Sequence, residues 1–228
     1  MKPISIIIPV YNEQESIVDL IYELNNELQN KLIYEIIIVN DGSTDSTYEY
    51  LSKIKNINFK IINNSENFGQ SKSIHNGIAN SKYDSIVTLD GDGQNIPGDI
   101  IKICRKFFES SEIKLVSGIR VNRKDNIIKR TSSKIANMIR NLILNDKCTD
   151  TGCSLKIFDK KIFLSFYFFD GIHRFIPAFF VRNNYKVLYV NVGHRHRLKG
   201  ESKYGTKDRL TKGIIDLIKV RKILNKND

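Results

Sequence analysis

The chain has 228 residues, 41% of them hydrophobic, and carries 36 Lys and Arg against 25 Asp and Glu, a net charge of +11. That length suits one α/β domain with a good core, or one domain with a small appendage. No apolar run approaches the roughly 18 residues needed to span a bilayer, and the three cysteines, Cys104, Cys148 and Cys153, lack the paired spacing of a disulfide framework or a zinc site. A soluble or peripheral protein in a reducing cytosol is therefore expected. Met1-Lys2-Pro3 leads straight into a predicted strand, so no signal peptide is expected.

Ile4 to Val10 is a nearly continuous apolar run, which predicts a central parallel strand. Pro9 cannot donate to a ladder, so the strand is expected to end about there. Tyr11-Asn12-Glu13 follows as a loop. Ile17, Leu20, Ile21, Leu24 and Leu28 recur at helical spacing. Glu35 to Val39 is a second buried strand, ending in Asn40-Asp41-Gly42-Ser43-Thr44-Asp45, where Ser43 or Asp45 is placed to cap the next helix. Phe59 to Ile62 is a third strand, and Asn67 to Gln70 turns into a helix that reaches about Ala79. Ser85 to Leu89 is a fourth strand. It stops abruptly at Asp90-Gly91-Asp92-Gly93-Gln94, two carboxylates one residue apart in a turn that two glycines leave free to bend. Pro97 then opens a helix to about Phe108.

This alternation predicts a doubly wound, mostly parallel α/β sheet. Its polar loops gather at the strand C-termini, the edge at which such sheets bind ligands. Two or three oxygens at the spacing of Asp90, Asp92 and Gln94 suit a hard divalent cation that keeps positions open for diphosphate oxygens. No Gly-x-Gly-x-x-Gly follows the first strand and no Walker-type phosphate loop exists, which disfavours those nucleotide sites.

The second half predicts a strand from Lys114 to Ile119, a basic stretch from Arg120 to Arg130, a helix to about Leu144, and a turn at Asp150 to Ser154. A strand from Leu155 to Phe158, an aromatic helix opening at Gly171 to Phe175, and a strand from Lys186 to Val192 follow. Leu210, Ile214, Leu217, Ile218 and Leu224 form a helical stripe flanked by Lys and Arg. The charge is uneven: Met1 to Lys114 holds 11 basic and 16 acidic residues, Leu115 to Asp228 holds 25 and 9. Such asymmetry points to an anionic partner for the C-terminal half. Nucleic acid is disfavoured, because the basic residues cluster in loops beside the crevice instead of interleaving with aromatics on a platform.

Four motifs stand in order: Pro9-Val10-Tyr11-Asn12-Glu13, Asn40-Asp41-Gly42-Ser43-Thr44-Asp45, Asp90-Gly91-Asp92-Gly93-Gln94, and Arg197-x-x-Gly200-x-Ser202-x-Tyr204. With Gly118-x-Arg120 and Asp150-x-Gly152, they resemble the family 2 glycosyltransferases of GT-A fold over almost the whole chain. They are most similar to the branch containing dolichol-phosphate mannose synthase and the bacterial polyprenyl-phosphate glycosyltransferases. The resemblance implies transfer of one sugar from a UDP- or GDP-sugar to a polyprenyl phosphate, with inversion. Pro9, Tyr11, Glu13, Asp41, Asp90 and Gly91 would bind the nucleotide sugar. Asp90, Asp92 and Gln94 would hold Mg²⁺ or Mn²⁺. Asp92, Asp150, Arg120 and Arg197 would be catalytic, and Arg130, Arg197, Ser202 and Lys203 would handle acceptor phosphate. Asp150 is open between orienting the acceptor, acting as a base, and a capping or structural role.

Two departures stand out. Asn40 replaces the first carboxylate of the Asp-Asp-Gly-Ser found in many relatives, and where many continue into membrane helices this chain ends in a basic amphipathic helix. The expected division is a GT-A domain over 1–205 and that helix over 206–228, peripheral on the cytoplasmic face of a membrane. A homo-oligomer or a membrane partner protein stays open. The chain has no Trp, hence no Gln-x-x-Arg-Trp motif, which favours single-sugar transfer over processive synthesis. The rival reading is transfer to a glycan or lipid hydroxyl, which would require a true general base.

Overall fold

The structure, a computed structural model, describes residues 1–121, 140–141, 143–197 and 216–224. Among them, seven strands make one sheet: β1 (Ile4–Val10), β2 (Tyr34–Asn40), β3 (Lys60–Asn63), β4 (Ser85–Thr88), β5 (Ile113–Arg120), β6 (Lys156–Asp159) and β7 (Lys186–Val192). Their order is β3-β2-β1-β4-β6-β5-β7. The pairs β1–β2, β2–β3, β1–β4 and β5–β7 are parallel, while β6 runs antiparallel to both β4 and β5. The mostly parallel sheet is as expected; the reversed β6 is not, because a four-residue strand lying between β4 and β5 is buried on both faces whichever way it runs and is too short for its pattern to report direction.

The helices α1 (Ile17–Leu28), α2 (Thr47–Ser52), α3 (Gln70–Ala79), α4 (Asp99–Phe108), α5 (Lys160–Ser165) and α6 (Ile176–Arg182) cover both faces. Alternation along β1 explains why both must be covered. Ile4, Ile6, Ile8 and Val10 enter one core with α1 and α4, and Ile7 enters the other with α3 and α6. Successive side chains of a strand point to opposite faces, so a fully apolar strand folds only between two helical layers.

β1 runs one residue past Pro9. Its ladder to β4 ends at Ile7 and Thr88, so Pro9 sits where β1 has a neighbour on one side only and its missing N–H is tolerated. α4 starts at Asp99, after turn bonds from Asp99 N to Ile96 O and Ile100 N to Pro97 O. Residues 216–224 are helical, but the buried stripe is rotated from the expected one. Asp216, Val220 and Leu224 are buried and Ile218 is 54% exposed. The Arg174 guanidinium bonds the Asp216 carboxylate and fixes which side of the helix faces the core. Leu210 and Ile214 lie outside the described residues. No helix among the described residues is long and apolar enough to cross a membrane.

Candidate active site

The sheet reverses its winding between β1 and β4, since β1 leads to β2 on one side while β4 joins it from the other. Ligands of doubly wound sheets bind in the crevice that such a reversal opens at the strand C-termini. Three loops meet there. Asn12, in a left-handed conformation with φ 53°, locks the first loop to the second: its side-chain oxygen accepts from Thr44 N at 2.7 Å, and its own N donates to Ser43 Oγ at 2.9 Å. Glu13 N donates to Thr47 Oγ1 at 2.8 Å. The N-cap of α2 is Ser46, neither Ser43 nor Asp45, and its side chain makes no capping bond; Asp45 steadies the start of the helix from one residue earlier, accepting from Thr47 N at 3.0 Å.

Asn40 explains its own departure from the Asp-Asp pattern. Its Nδ2 donates to Asn63 Oδ1 at 3.0 Å while its Oδ1 accepts from Ser43 N at 3.2 Å. A carboxylate could keep the first contact only with the Asn63 amide turned over to donate. Asp41 is buried and accepts three N–H groups, from Asn64 Nδ2 at 2.7 Å, Phe68 N at 3.1 Å and Gly69 N at 2.8 Å. It thereby holds the loop that launches α3, and the first residue of α3, Gln70, donates from Nε2 to Asp90 Oδ1 at 2.8 Å.

Asp90 and Asp92 occupy the turn after β4. Gly91 is closely packed, since a Cβ there would lie 2.6 Å from Val10 Cγ1 and would force that side chain or the turn to shift. Burial, then the adjacent Asp92 charge, push the Asp90 carboxyl up to about 6, against the Ser154 hydroxyl and the charges of Lys156 and Arg120. Two acids held this close, one of them strained toward its neutral form, are a site that a cation relieves. No group of three or more His, Cys, Asp or Glu among the described residues is placed to hold a metal. Asp90 and Asp92 offer two hard oxygen donors, a pair that suits a divalent cation whose remaining positions are filled by other oxygens. Gln94 turns toward Asp92: with its amide oriented to satisfy both neighbours, its nitrogen donates to Asp92 Oδ2 at 3.0 Å and its oxygen accepts from Arg197 N at 3.3 Å. Gln94 thus steadies Asp92 in this arrangement.

Arg197 arrives from beyond β7. Its NH2 donates to Glu13 Oε1 at 3.0 Å and to Asp92 Oδ2 at 3.3 Å. The first and third motifs and the last are therefore joined through one guanidinium. Arg120, at the end of β5, is paired with Asp150: the backbone N, Nε and NH2 of Arg120 donate to the Asp150 carboxylate at 3.0, 2.7 and 2.6 Å. Both oxygens of Asp150 are engaged, and only 9% of its side chain is exposed. Pro9 and Tyr11 lie on the end of β1 and the loop after it. Arg130, Ser202 and Lys203 lie outside the described residues.

Sequence reasoning missed Gln70, Asn95, Ser154 and Lys156. Asn95 Oδ1 accepts from Ser154 Oγ at 2.8 Å and from Asp90 N at 3.4 Å. Lys156 is buried, with its ammonium on the Cys153 carbonyl, and its charge acts on Asp90. A lysine inside a short apolar strand was the available signal, because a buried cation needs a partner.

The family model described as Glycosyl transferase family 2 matches residues 5–165. Dodecaprenyl-phosphate galacturonate synthase of Rhizobium johnstonii is 33% identical over 225 residues, which cover 95% of this chain and 66% of that protein. The chain thus spans just under two thirds of that relative's length. Among solved structures, mannosyl-3-phosphoglycerate synthase from Rubrobacter xylanophilus superposes with a TM-score of 0.72 at 13% identity, over 96% of this chain and 73% of that one. Glucosyl-3-phosphoglycerate synthase from Mycobacterium tuberculosis, in complex with Mn²⁺, UDP-glucose and phosphoglyceric acid, gives 0.70 at 14%, over 96% and 79%. At such identities the structural matches establish the fold, and it is the expected GT-A fold. The family match covers well over half of the chain, and the protein belongs to glycosyl transferase family 2.

Proposed function

We propose that the chain transfers one sugar from a nucleotide sugar to a polyprenyl phosphate, with Mg²⁺ or Mn²⁺ as cofactor, at a membrane surface. The observation that supports this acceptor most is the complete engagement of Asp150 by Arg120. A hydroxyl acceptor needs a base to take its proton. A phosphate monoester has its second pKa at about 6 and is already a competent nucleophile near neutral pH. A site whose acceptor-side carboxylate is tied up by an arginine suits the second kind of acceptor. In this reading Asp150 is a positioning residue for Arg120. The 33% identical relative, named for a dodecaprenyl-phosphate product, points the same way.

Glu13 and the end of β1, with Pro9 and Tyr11, would seat the nucleoside, and Asp41 would act by shaping the wall beside it. Asp90 and Asp92 would hold a divalent cation, whose charge lowers the cost of diphosphate departure. Arg120 and Arg197, with Arg130, Ser202 and Lys203 by resemblance, would keep two phosphates close against their repulsion. The exposed side of residues 216–224 carries Lys219, Arg221 and Lys222 beside Ile218, so contact with an anionic cytoplasmic leaflet would be electrostatic. A paired-acceptor assay tests this reading. A polyprenyl phosphate should be glycosylated and the matching polyprenol should not; product from the alcohol would move the activity to hydroxyl acceptors.

A further inference from the structure

The loop Gly91-Asp92-Gly93 carries Asp92 between two glycines, so its flanking peptides have no side chains of their own to anchor them. Both are held from outside, and both lines lead to α1. Ser16, buried at the start of α1, donates from Oγ to the Gly91 carbonyl at 3.0 Å. The Gly93 carbonyl accepts from Arg195 Nε at 2.5 Å. The same Arg195 guanidinium binds Glu23, two turns further along α1, through NH1 at 3.0 Å and NH2 at 2.5 Å. Arg195 N also donates to Gln94 O at 3.0 Å, His194 bridges to Asn95, and Gly193 N donates to Asp99 Oδ2 at 2.6 Å. The stretch from Gly193 to Arg197 is therefore a strap laid across the carboxylate loop. Arg195 ties it to α1 and to the loop at once.

We propose that Glu23 and Arg195 are positioning residues of the donor–metal site. They register the strap on the loop so that Asp92 is held in place and Arg197 lands on Glu13 and Asp92. This rests on the donor-site reading given above. The pair is partly exposed, 29% for Arg195 and 34% for Glu23. Ion pairs of that exposure add little to global stability, so the fork geometry, which a lysine cannot reproduce, acts on the placement of the loop instead.

The test is Mn²⁺ uptake followed by electron paramagnetic resonance in the presence of UDP and, separately, GDP. It compares the native chain with Glu23→Gln, Arg195→Lys and the double variant, with Tm measured on each. Each single variant should weaken Mn²⁺–nucleotide binding by about three- to tenfold, the double should be no worse than either single, and Tm should move little. Variants that bind as tightly as the native chain overturn the proposal. So does a loss of affinity that merely tracks a large fall in Tm, or losses that multiply in the double variant. A native chain that takes up no Mn²⁺ with either nucleotide overturns the donor-site reading itself, which separates the two failures.

Discussion

Asp92 accepts from the backbone N of Gln94 at 3.1 Å and from Arg197 at 3.3 Å, and asparagine there keeps the shape while removing the charge. Asp92→Asn should nearly abolish turnover and leave the circular dichroism spectrum and Tm close to native; full activity would sink the metal assignment. Asp150→Asn should lower turnover by roughly ten- to a hundredfold through a misplaced Arg120, with the pH–rate profile keeping its shape. Loss of the profile's acidic limb would instead identify Asp150 as the base. Asp90 makes a pH prediction. An acid whose folded pKa is raised contributes stability fully below its ordinary value of 3.8 and loses it as pH rises through about 6. In metal-free protein, the gain in Tm from Asp90→Asn should therefore grow between about pH 4 and about pH 6 and then level off. A gain that shrinks over that range contradicts the burial argument. The residues legible in the sequence were those whose chemistry sits in a contiguous motif. Gln70 and Glu23 were not, because their partners, Asp90 and Arg195, lie 20 and 172 positions away and only the fold brings them together.

The elements were legible where periodicity was unambiguous, as in α1, whose five apolar positions Ile17, Leu20, Ile21, Leu24 and Leu28 are all buried. The antiparallel direction of β6 and the rotation of helix 216–224 were not. Each is decided by tertiary partners, β4 with β5 in one case and Arg174 in the other. Close packing between elements gives a further expectation. Gly77 of α3 sits over β1 and β2, where a Cβ would lie 2.5 Å from Ile7 Cγ2 and 3.0 Å from Val39 Cγ2. Helix propensity alone would make Gly77→Ala stabilising, but overpacking of this kind costs about 1–3 kcal/mol. Urea unfolding should show a net loss, and a gain would mean α3 can lift from the sheet without penalty.

On the scale of the whole molecule, the chain divides in sequence into an acidic N-terminal half, which supplies the three loops of the crevice, and a basic C-terminal half, which brings Arg120 and Arg197 to it. That division, visible in the raw composition, suits a donor handled through a cation and an acceptor handled through arginines. The cysteines stay outside the chemistry. All three are buried and free; burial pushes Cys104 up to about 12 and Cys153 up to about 11, and raises Cys148 as well. The native protein at pH 8 should resist thiol reagents until it is unfolded, and rapid labelling would contradict the buried placement. The central claim is tested most directly by incubating the purified chain with Mn²⁺, a short polyprenyl phosphate and a panel of UDP- and GDP-sugars, and reading the lipid fraction by mass spectrometry. A polyprenyl-phosphate sugar formed from one donor, and lost on chelation of the metal, is the predicted result. Glycosylation confined to hydroxyl acceptors, or lipid product undiminished by chelator, would contradict it.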